Sequence, residues 1–577
     1  MKLRALHVYN FGCIDDKGYE VEIDDIVILI GANNVGKSTI LDAYEAFAAV
    51  GAPLTSRWFR NEDPSNTVRI AGTFTDLKTD DIDVLGKKWT FAHPRYGDCV
   101  QVMWQWKAPD GKGDKYSWDP VKKDWVPGGM GGWDTLISSR IPLPLRVRPT
   151  DDAATTEAQI AEILTAAAKS AIKADAGKTA GVIAELQKLT TELTKGVEAQ
   201  IQDAVARIST RLGQVFPGHS VQFSPEMGKF EPEKIIGAGS QIRIVNPSKD
   251  KIPLSQQGHG MRRTFLWAAL GALADLGRIK QGRTAVPADR QRILLLEEPE
   301  SFLHPPMIRA AREALYALAT LPEWQVMCTS HSPVFIDVAK PHTTIVRIGR
   351  HGTTRTQVFS TERASFSDDD RQNLAAVRAC NPEVSEFFFA DHAWLVEGET
   401  EIAALNMLLT NTPDSTSSNI VVVNCLGKAN IPLFMRILNQ FGTPYTVIHD
   451  TDAPRCKRKE KWQTNSMWSV NKKILSVLSS RDAELPPCAI VASVPDFEGE
   501  YYGFRLGKDK PYTAIQIIRS PEFEKDACYE GLRSLVPNLL AGKHPHTYST
   551  YDQFVSFVKQ FVETEKPEPS EEWTFDE

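Results

Sequence analysis

The stretch Gly31-Ala-Asn-Asn-Val-Gly36-Lys37-Ser38-Thr39 decides the fold of the N-terminal part of the chain. It follows the apolar run 26–30 and precedes a helical pattern over 40–47, so the order is strand, glycine-rich loop and helix. The glycines let backbone N–H groups turn toward a phosphate, and the helix start adds its positive dipole end. We therefore predict a nucleotide-binding loop in which Lys37 lies near the β and γ phosphates and Ser38 ligates Mg²⁺. The predicted nucleotide-binding residues of the loop are Gly31, Asn34, Gly36, Lys37, Ser38 and Thr39.

Composition is that of a soluble protein with several domains. The 577 residues exceed one hydrophobic core, and 42% apolar and 24% charged residues are ordinary for globular proteins. No stretch suits a membrane span and the start lacks a signal-peptide pattern, so we expect no membrane partner. The 8 cysteines contain no C-x-x-C pair, which argues against a zinc ribbon and fits a cytoplasmic protein with free thiols. Because the net charge is -7, any nucleic-acid site must be a local basic patch.

Changes in composition and in the spacing of apolar residues along the chain predict four segments. An α/β part over 1–150 ends at the proline-rich stretch 142–149. The segment 151–215 is rich in Ala, Leu, Glu and Lys with apolar residues at helical spacing, which predicts a helical insertion. Because these helices have more apolar positions than one domain would cover, we expect them to hold a dimer. Residues 216–380 return to the first α/β part, and 381–577 form a second α/β domain with a C-terminal extension.

Alternating segments between 67 and 126 predict an antiparallel sheet whose strands carry several tryptophans. A base-stacking platform would explain the tryptophans, but packing within the sheet is far more common. The tryptophan-bearing region 89–133 matches no family motif, so its role stays open.

A buried strand that ends in two carboxylates forms the next part of the nucleotide site. The apolar residues 293–296 lead directly into Glu297 and Glu298. This is the Walker B arrangement, in which the first acid holds the Mg²⁺ shell and the second orients or deprotonates the attacking water. The first acid is usually Asp, so Glu297 departs from the pattern. Two solvated acids after a strand are the plainer alternative, and the upstream phosphate-binding loop argues against it.

Two further motifs flank this strand. Ser255-Gln-Gln-Gly258 leads into a helix, and His331 follows the strand predicted over 325–329. The series resembles the SMC/RecF/Rad50 branch of ABC ATPases, in which a signature motif caps a partner's ATP and a switch histidine senses the γ-phosphate. The resemblance implies that Ser255, Gly258 and His331 contact ATP. It also implies a homodimer or higher homo-oligomer, because each signature completes the other subunit's site.

Four acids follow strand ends in the C-terminal part. Glu397 ends one predicted strand, Glu401 opens the following helix, and Asp450 and Asp452 follow another strand. Functional groups in open parallel sheets collect at the carboxyl ends of strands, which places the four acids on one rim. In an extended segment alternate residues point the same way, so we expect both aspartates to face that rim. Such hard oxygen ligands predict Mg²⁺ or Mn²⁺, two of which can support phosphodiester cleavage.

This acidic set resembles a Toprim domain, the metal-binding module of topoisomerases, DnaG-type primases and certain nucleases. Downstream, Asp496-Phe-Glu498 follows a further predicted strand, and a Lys-Pro pair begins at Lys510. An ABC head joined to a Toprim domain with these late residues is similar to the OLD (overcoming lysogenization defect) family of ATP-dependent endonucleases. The resemblance implies ATP, Mg²⁺ or Mn²⁺, double-stranded DNA as substrate, and Lys510 stabilising charge on the phosphate. The metal ligands that it implies are Glu397, Glu401, Asp450, Asp452 and Glu498.

We thus predict an α/β protein in which an ABC-type ATPase head with an inserted helical dimerisation segment precedes a Toprim domain. Its expected activity is ATP-dependent DNA cleavage, in anti-phage defence or DNA processing. A Gabija-type nuclease that works with a separate helicase-like protein is one alternative. Another is a RecF-like clamp or loader whose Toprim domain does not cut. Topoisomerase and primase readings are weaker, since Tyr501, Tyr502 and Tyr512 lie in no recognised nucleophile context.

Overall fold

The computed structural model of the chain contains two compact units. The first comprises Met1–Phe335 with His342–Thr356, and the second comprises Ile336–Pro341 with Gln357–Glu577. The residues whose structure is described are 1–129, 139–148, 201–224, 241–275, 280–281, 284–285, 290–349, 356–381, 384–412, 419–503, 506–565 and 570–575.

A parallel sheet holds the glycine-rich loop of the first unit. Its parallel strands, in spatial order, are β17 (Thr343–Ile348), β3 (Ile26–Gly31), β16 (Trp324–Thr329), β15 (Arg292–Glu297) and β9 (Leu143–Val147). β3 and β15 are buried at every position but the last, as expected for strands covered on both faces. Because all neighbours run parallel, the residues that follow β3 and β15 emerge at the same edge of the sheet.

The predicted antiparallel sheet is confirmed in the first unit. Its main path is β2-β1-β4-β6-β7-β8, and β5 pairs with β6. Trp106 is fully buried and its Nε1 donates to the carbonyl oxygen of Ala52 at 2.9 Å, so it packs the sheet. Trp118 and Trp125 meet edge to face at 5.5 Å. The strands are β1 (Lys2–Tyr9), β2 (Tyr19–Glu22), β4 (Val68–Thr75), β5 (Phe91–His93), β6 (Gly97–Trp106), β7 (Asp114–Asp119) and β8 (Asp124–Pro127).

The first unit is completed by helices and short sheets. Residues 201–215 are helical, but most of the predicted insertion 151–215 lies outside the described residues, so its dimer role stays a prediction. The other elements are α1 (Lys37–Ala48), α2 (Thr79–Leu85), β10 (Ser220–Ser224), β11 (Gln241–Val245), β12 (Lys251–Pro253), α3 (His259–Asp275), β13 (Lys280–Gln281), β14 (Thr284–Ala285) and α4 (Pro305–Ala319).

The second unit contains its own parallel sheet, as predicted. Its order is β20 (Ile420–Asn424), β19 (His392–Val396), β21 (Tyr445–Asp450) and β24 (Ala489–Ser493), with β25 (Thr547–Tyr548) antiparallel at the edge. Two more strands of this unit form the hairpin β22 (Arg455–Arg458) and β23 (Lys461–Thr464). The strand β18 (Thr356–Ser360) spans the point in the sequence at which the first unit ends and the second continues.

Helices cover this sheet, and in the described part of the chain no helix has the length and apolar character needed to cross a bilayer. They are α5 (Thr361–Ala364), α6 (Asp368–Cys380), α7 (Glu399–Asn411), α8 (Ile431–Phe441), α9 (Ser466–Ser479), α10 (Phe497–Tyr502), α11 (Lys510–Arg519), α12 (Glu530–Ala541) and α13 (Tyr551–Glu565).

The second unit begins earlier than the predicted boundary between 380 and 381. The segment from β18 to α6 packs against α8, which lies deep in the second unit. Asp370 of α6 pairs with Arg436 of α8 at 2.8 Å, and Gln440 Nε2 donates to the carbonyl oxygen of Ser360 at 3.2 Å. Asp370 and Arg436 are 66 positions apart in sequence, so the local sequence pattern could not show that they belong to the same unit.

Candidate active sites of the two units

The glycine-rich loop joins β3 to α1 in a conformation that requires glycine at two positions. Gly31 has φ 137°, and a Cβ there would lie 2.4 Å from a carbonyl oxygen of β17. Gly36 has φ 103°, a region that other residues rarely adopt. Lys37 opens α1, and its Nζ donates to the carbonyl oxygens of Gly31 and Ala32 at 2.9 and 2.7 Å. The loop therefore folds back over its own lysine, as the phosphate-binding prediction expects.

The other predicted loop residues take distinct positions. Asn34 is exposed with φ 61°, so its side chain is accessible to a ligand. Thr39 Oγ1 lies 3.4 Å from Cys13 Sγ. Ser38 Oγ donates to Glu297 Oε2 at 2.8 Å, across a sequence separation of 259 residues. The structure thus brings together the hydroxyl and the carboxylate that were predicted to share a Mg²⁺ ion.

Two arginines lie close to Ser38 and Glu297, and the sequence analysis did not identify them. Arg146 belongs to β9, and Arg148 is the residue that follows β9. Arg146 is buried and forms an ion pair with Glu297, and it also lies 3.3 Å from Asp42 of α1. Arg148 Nη2 lies 3.2 Å from the same carboxylate of Asp42 and donates to Glu45. Arg146 therefore balances the charge of an acid that is mostly buried. Its signal in the sequence is an Arg-x-Arg pair on an edge strand, which by itself indicates nothing about a site.

The second acid of the Walker B strand turns away from the sheet. Glu298 has φ 44°, and its backbone N–H donates to the carbonyl oxygen of Thr329 at 3.0 Å. Ser301 Oγ donates to Glu298 Oε2 at 2.9 Å, and His331 Nε2 lies 3.9 Å from Oε1. Unusual backbone angles held by surrounding contacts cluster at functional sites. The 3.9 Å contact makes the predicted switch histidine and the predicted water-orienting acid neighbours.

Glu300 fixes the backbone at Ser330 and His331. Its Oε1 accepts from the backbone N–H of His331 at 2.7 Å and from Ser330 Oγ at 2.9 Å. Burial raises the pKa of Glu300, and these two hydrogen bonds oppose the rise. Burial lowers the pKa of His331, and the ammonium of Lys37 lowers it further. His331 is therefore held as a neutral imidazole, which can accept as well as donate a hydrogen bond.

The signature motif lies before α3 and faces outward. Ser255 and Gly258 are exposed, and in the described part of the chain neither hydrogen-bonds to the glycine-rich loop. Arg263 of α3 donates to the backbone oxygens of Glu297 and Glu298, the latter at 3.1 Å. The helix that the motif opens is thus tied to the end of β15, while the motif itself is left accessible.

The predicted metal ligands of the second unit come from four elements. Glu397 follows β19, Glu401 lies in the first turn of α7, and Asp450 ends β21. Glu498 lies in the first turn of α10, and Lys510 opens α11. Glu397 Oε1 accepts from the backbone N–H of Asp450 at 2.8 Å, which joins the ends of β19 and β21. The acids therefore meet at the carboxyl edge of the sheet, as predicted.

The extended backbone that was expected to point Asp450 and Asp452 the same way is not present, although Asp452 still interacts electrostatically with Glu397 and Asp496 of the rim. β21 ends at Asp450, and Asp452 has φ 58°, so the segment between them is not extended. Asp450 Oδ1 accepts from the backbone N–H of Phe497 at 2.8 Å. Asp452 instead forms an ion pair with Lys428 at 2.6 Å, and the side chain of Lys428 is 1% exposed. The backbone turn, and not strand geometry, sets the direction of the second aspartate.

Burial dominates the electrostatics of this acidic rim. It raises the pKa of Glu397 to about 7, against the ammonium of Lys428. It also raises the pKa of Glu401 to about 7, and the nearby Glu498 contributes to the rise. The pKa of Asp450 is raised well above its ordinary range by burial and then by Glu397 and Glu401. Glu401 is buried and Glu397 and Asp450 are partly buried, and the three carboxyls have too little positive charge around them to ionise fully at neutral pH.

The chemistry of the donor set suits a divalent cation of the Mg²⁺ class, although Glu397, Glu401 and Asp450 do not bring three ligand atoms within 4.8 Å of one another. Hard carboxylate oxygens are its preferred ligands, and a cation among Glu397, Glu401 and Asp450 would supply the charge that they lack. Among the described residues, Asp24, Asp25 and His342 are the one trio whose ligand atoms lie within 4.8 Å of one another. Lys2 and Arg4 neutralise those two aspartates at 2.8 and 2.6 Å, so that trio is an ion-pair cluster.

A late acidic pair and a lysine complete the rim. Lys510 Nζ lies 3.0 Å from Glu498 Oε1, and this hydrogen bond raises the pKa of Lys510. Asp496 caps α10 by accepting from the N–H of Gly499 at 2.7 Å. Burial raises the pKa of Asp496, and its carboxyl interacts electrostatically with Glu498, Lys510 and Asp452. Asp496 therefore belongs to the acidic rim as well, although we had not predicted it as a ligand.

The histidine next to Asp450 in β21 is neutral and stabilises the end of this strand. His449 is buried, and burial lowers its pKa to about 3. Its Nδ1 lies 2.8 Å from the carbonyl oxygen of Asp450, and its Nε2 lies 2.8 Å from the hydroxyl of Tyr548. The first contact holds the Asp450 backbone and the second fixes the imidazole ring, so His449 positions a predicted ligand without adding charge.

Three domain families match parts of the chain. The TOPRIM domain of overcoming lysogenization defect protein-like proteins matches residues 388–452. An AAA ATPase domain matches 1–203, and an AAA domain described as putative AbiEii toxin, Type IV TA system, matches 137–337. These matches coincide with the acidic rim and with the nucleotide site. The ATPase and Toprim domains imply use of a nucleotide and of a divalent metal.

Two curated relatives of this chain are OLD nucleases. The OLD nuclease of Thermus scotoductus is 26% identical over 340 residues, which is 58% of this chain and 60% of the relative. The Old nuclease of Escherichia phage P2 is 22% identical over 486 residues, which is 78% of this chain and 77% of the relative. The chain thus aligns with three fifths of the first relative's length and with most of the second.

Solved structures with a similar chain course are SMC head domains. An Smc head domain from Pyrococcus furiosus is 15% identical and covers 63% of this chain and 97% of its own, with a TM-score of 0.40. The SMC head domain from Thermotoga maritima is 13% identical and covers 62% of this chain and 99% of its own, with a TM-score of 0.32. At these scores the assignment rests on the domain families, the relatives and the two sites. An ATPase domain with a Walker-type site, joined to an OLD-like Toprim domain, makes this chain similar to the OLD nucleases.

Proposed function

We propose that the chain is an ATP-hydrolysing, divalent-metal-dependent endonuclease of double-stranded DNA, acting in anti-phage defence or DNA processing. The observation that carries the proposal is the buried acidic rim of the Toprim domain. Burial raises the pKa of Glu397 and Glu401 to about 7, so ionising these two carboxyls destabilises the folded state. A module that only bound DNA would gain nothing from such acids, which also repel phosphates. A cation-dependent cutting site explains both their number and their burial.

Each residue of the rim has a part in the proposed reaction. Glu397, Glu401, Asp450, Asp452 and Glu498 would hold Mg²⁺ or Mn²⁺. When bound, such ions activate water for attack and stabilise charge on the leaving oxygen. Lys510 carries a half-exposed ammonium beside Glu498 and would stabilise charge on the phosphate. Lys428 and His449 hold the backbone at the end of β21 in place.

The first unit would bind and hydrolyse ATP. Lys37 supplies the positive charge of the loop, and Ser38 with Glu297 would hold Mg²⁺. Glu298 is partly exposed and next to His331, so its carboxylate is available to orient a water molecule and accept its proton. The exposure of Ser255 and Gly258 supports a homodimer or higher oligomer in which they cap the ATP of a second copy.

Cleavage of supercoiled plasmid tests the proposal. Purified protein is incubated with and without Mn²⁺, Mg²⁺ and ATP, and nicked and linear products are resolved on a gel. Asp450→Ala should abolish metal-dependent cleavage and leave ATP binding near normal, because the two sites lie in different units. The matched control is Glu524→Ala, an exposed acid of the same unit that should cut like wild type.

The same assay separates the alternatives. A clamp or loader would show no metal-dependent cleavage in the wild type. A topoisomerase would leave protein covalently attached to DNA, and a primase would make oligonucleotides from NTPs. Cleavage by Asp450→Ala at the wild-type rate would place the cutting site elsewhere.

A further inference from the structure

A basic β-hairpin begins three residues after Asp452. β22 and β23 pair antiparallel, and Lys459 and Glu460 form the turn with φ 47° and 61°. Three residues span at most about 11 Å, so the hairpin starts close to the acidic rim. An acidic turn at Glu571–Trp573 lies against β22, but the residues at the tip of the hairpin are exposed.

The hairpin is strongly positive in a chain that is negative overall. Five cations against one carboxylate give ten residues a charge of about +4 at neutral pH, while the whole chain carries -7. The carboxylate, Glu460, pairs with Lys457 at 2.7 Å. Arg458 lies directly opposite Lys461 in the register, and in the described part of the chain neither has a carboxylate partner. The cations are Arg455, Lys457, Arg458, Lys459 and Lys461.

This arrangement works against stability. Like charges directly opposite each other on two strands destabilise the pair. The hairpin neither covers a core nor neutralises the acidic rim, because its cations point to solvent at the tip. A phosphate backbone would relieve the repulsion, since duplex DNA carries one negative charge per about 1.7 Å of its axis. The carboxylates of the adjacent acidic rim repel the phosphate that they are proposed to cut, so nearby cations are needed to hold the DNA there.

We infer that the hairpin β22–β23 is the surface by which the second unit holds the phosphate backbone of double-stranded DNA beside the acidic rim. The inference rests on the proposed nuclease function and deepens it. The cations of the tip bind phosphates on one side of the scissile bond and hold the duplex against the repulsion of Glu397, Asp450 and their neighbours. Contacts of this kind set affinity and position without reading sequence.

The test replaces the four exposed cations Lys457, Arg458, Lys459 and Lys461 by serine. The matched control removes the same charge from the first unit, at the exposed residues Lys87, Lys88, Lys122 and Lys123. Binding of a labelled DNA duplex is followed by fluorescence anisotropy in EDTA, so that affinity is measured without cleavage. Titrations at several salt concentrations between about 50 and 200 mM give the slope of log Kd against log salt.

We expect the hairpin variant to bind duplex DNA at least about tenfold more weakly than wild type, with a slope reduced by up to about 3.6. The control should match wild type within about twofold. Because the variant loses like-charge repulsion, the second unit should melt at the same or a higher temperature, which separates weak binding from misfolding. The double variant Arg458→Ser, Lys461→Ser should show a smaller loss of affinity and a smaller reduction of the salt slope.

Equal affinities and slopes for hairpin variant and wild type overturn the inference. Tighter hairpin-dependent binding of an RNA duplex overturns the assignment to DNA. A wild type that binds no duplex overturns both this inference and the proposed function. Hairpin-dependent binding by a wild type that never cuts supports the inference and overturns the nuclease proposal alone.

Discussion

Replacing Glu401 by Gln is expected to stabilise the second unit above neutral pH when no divalent metal is bound. Glu401 is 7% exposed, and burial raises the pKa of its carboxyl from 4.5 to about 7. In the unfolded chain the same carboxyl ionises near its ordinary value of about 4.3. Between these two pKa values the folded state holds a proton that the unfolded state has released. Stability therefore falls as the pH rises through this window and stays constant above it.

The magnitude follows from the pKa difference. A rise of the pKa from 4.5 to about 7 corresponds to about 3 kcal/mol of unfolding free energy. Gln has nearly the shape of Glu and does not ionise, so the variant should gain about 3 kcal/mol over wild type at about pH 8. Near about pH 5 the folded wild-type carboxyl is protonated but most of the unfolded chains have released the proton, so the difference should shrink to about 1 kcal/mol. In a unit of this size 1 kcal/mol moves Tm by about 2–4 °C, so we expect about 6–12 °C at the higher pH.

Calorimetric unfolding in EDTA at the two pH values measures this difference. The matched control is Glu399→Gln, which removes an exposed carboxylate from the same helical turn and should leave Tm unchanged at both. Added Mg²⁺ should raise the wild-type Tm more than that of the Glu401 variant, because the cation favours the ionised carboxyl. If wild type and Glu401→Gln melt together at the higher pH, the argument that burial resists ionisation of this rim is refuted.

Other expectations follow from the same geometry. Lys37→Ala should weaken ATP binding by about 10- to 100-fold, since it removes the only full charge of the loop; equilibrium binding of labelled ATP measures this. Glu298→Gln should bind ATP yet hydrolyse it at least about 100-fold more slowly, and wild-type turnover would contradict the Walker B assignment. Lys428→Met should cost about 1–3 kcal/mol, because the partly exposed Asp452 and the carbonyl oxygen of Asp450 lose their buried partner, and Asp452→Asn in the same chain should recover part of the lost Tm. Light scattering should show at least a dimer; a monodisperse monomer with and without ATP would exclude the shared ATP site.

The parallel strands and the glycine-rich loop could be predicted because their signals are local. An apolar run of five residues, two glycines and a lysine within nine positions specify strand, turn and helix with no help from distant residues. The predicted strands of the second unit are confirmed for the same reason, since each is a short apolar run before a turn. The acids at their ends could be assigned to one rim because parallel strands share a carboxyl edge.

What the sequence by itself determined is therefore the set of candidate residues for both sites, because Ser38, Glu297 and the acids from Glu397 to Glu498 could each be named from local patterns. The tertiary structure alone decided how these groups are oriented and balanced. Ser38 meets Glu297 across 259 residues, and Arg146 and Lys428 become counter-charges only when separate strands come together. Asp452 faces Lys428 because the chain turns through φ 58° after β21, which no alternation pattern encodes. Direction and charge balance depend on contacts between segments distant in sequence, and such contacts leave no local pattern to read.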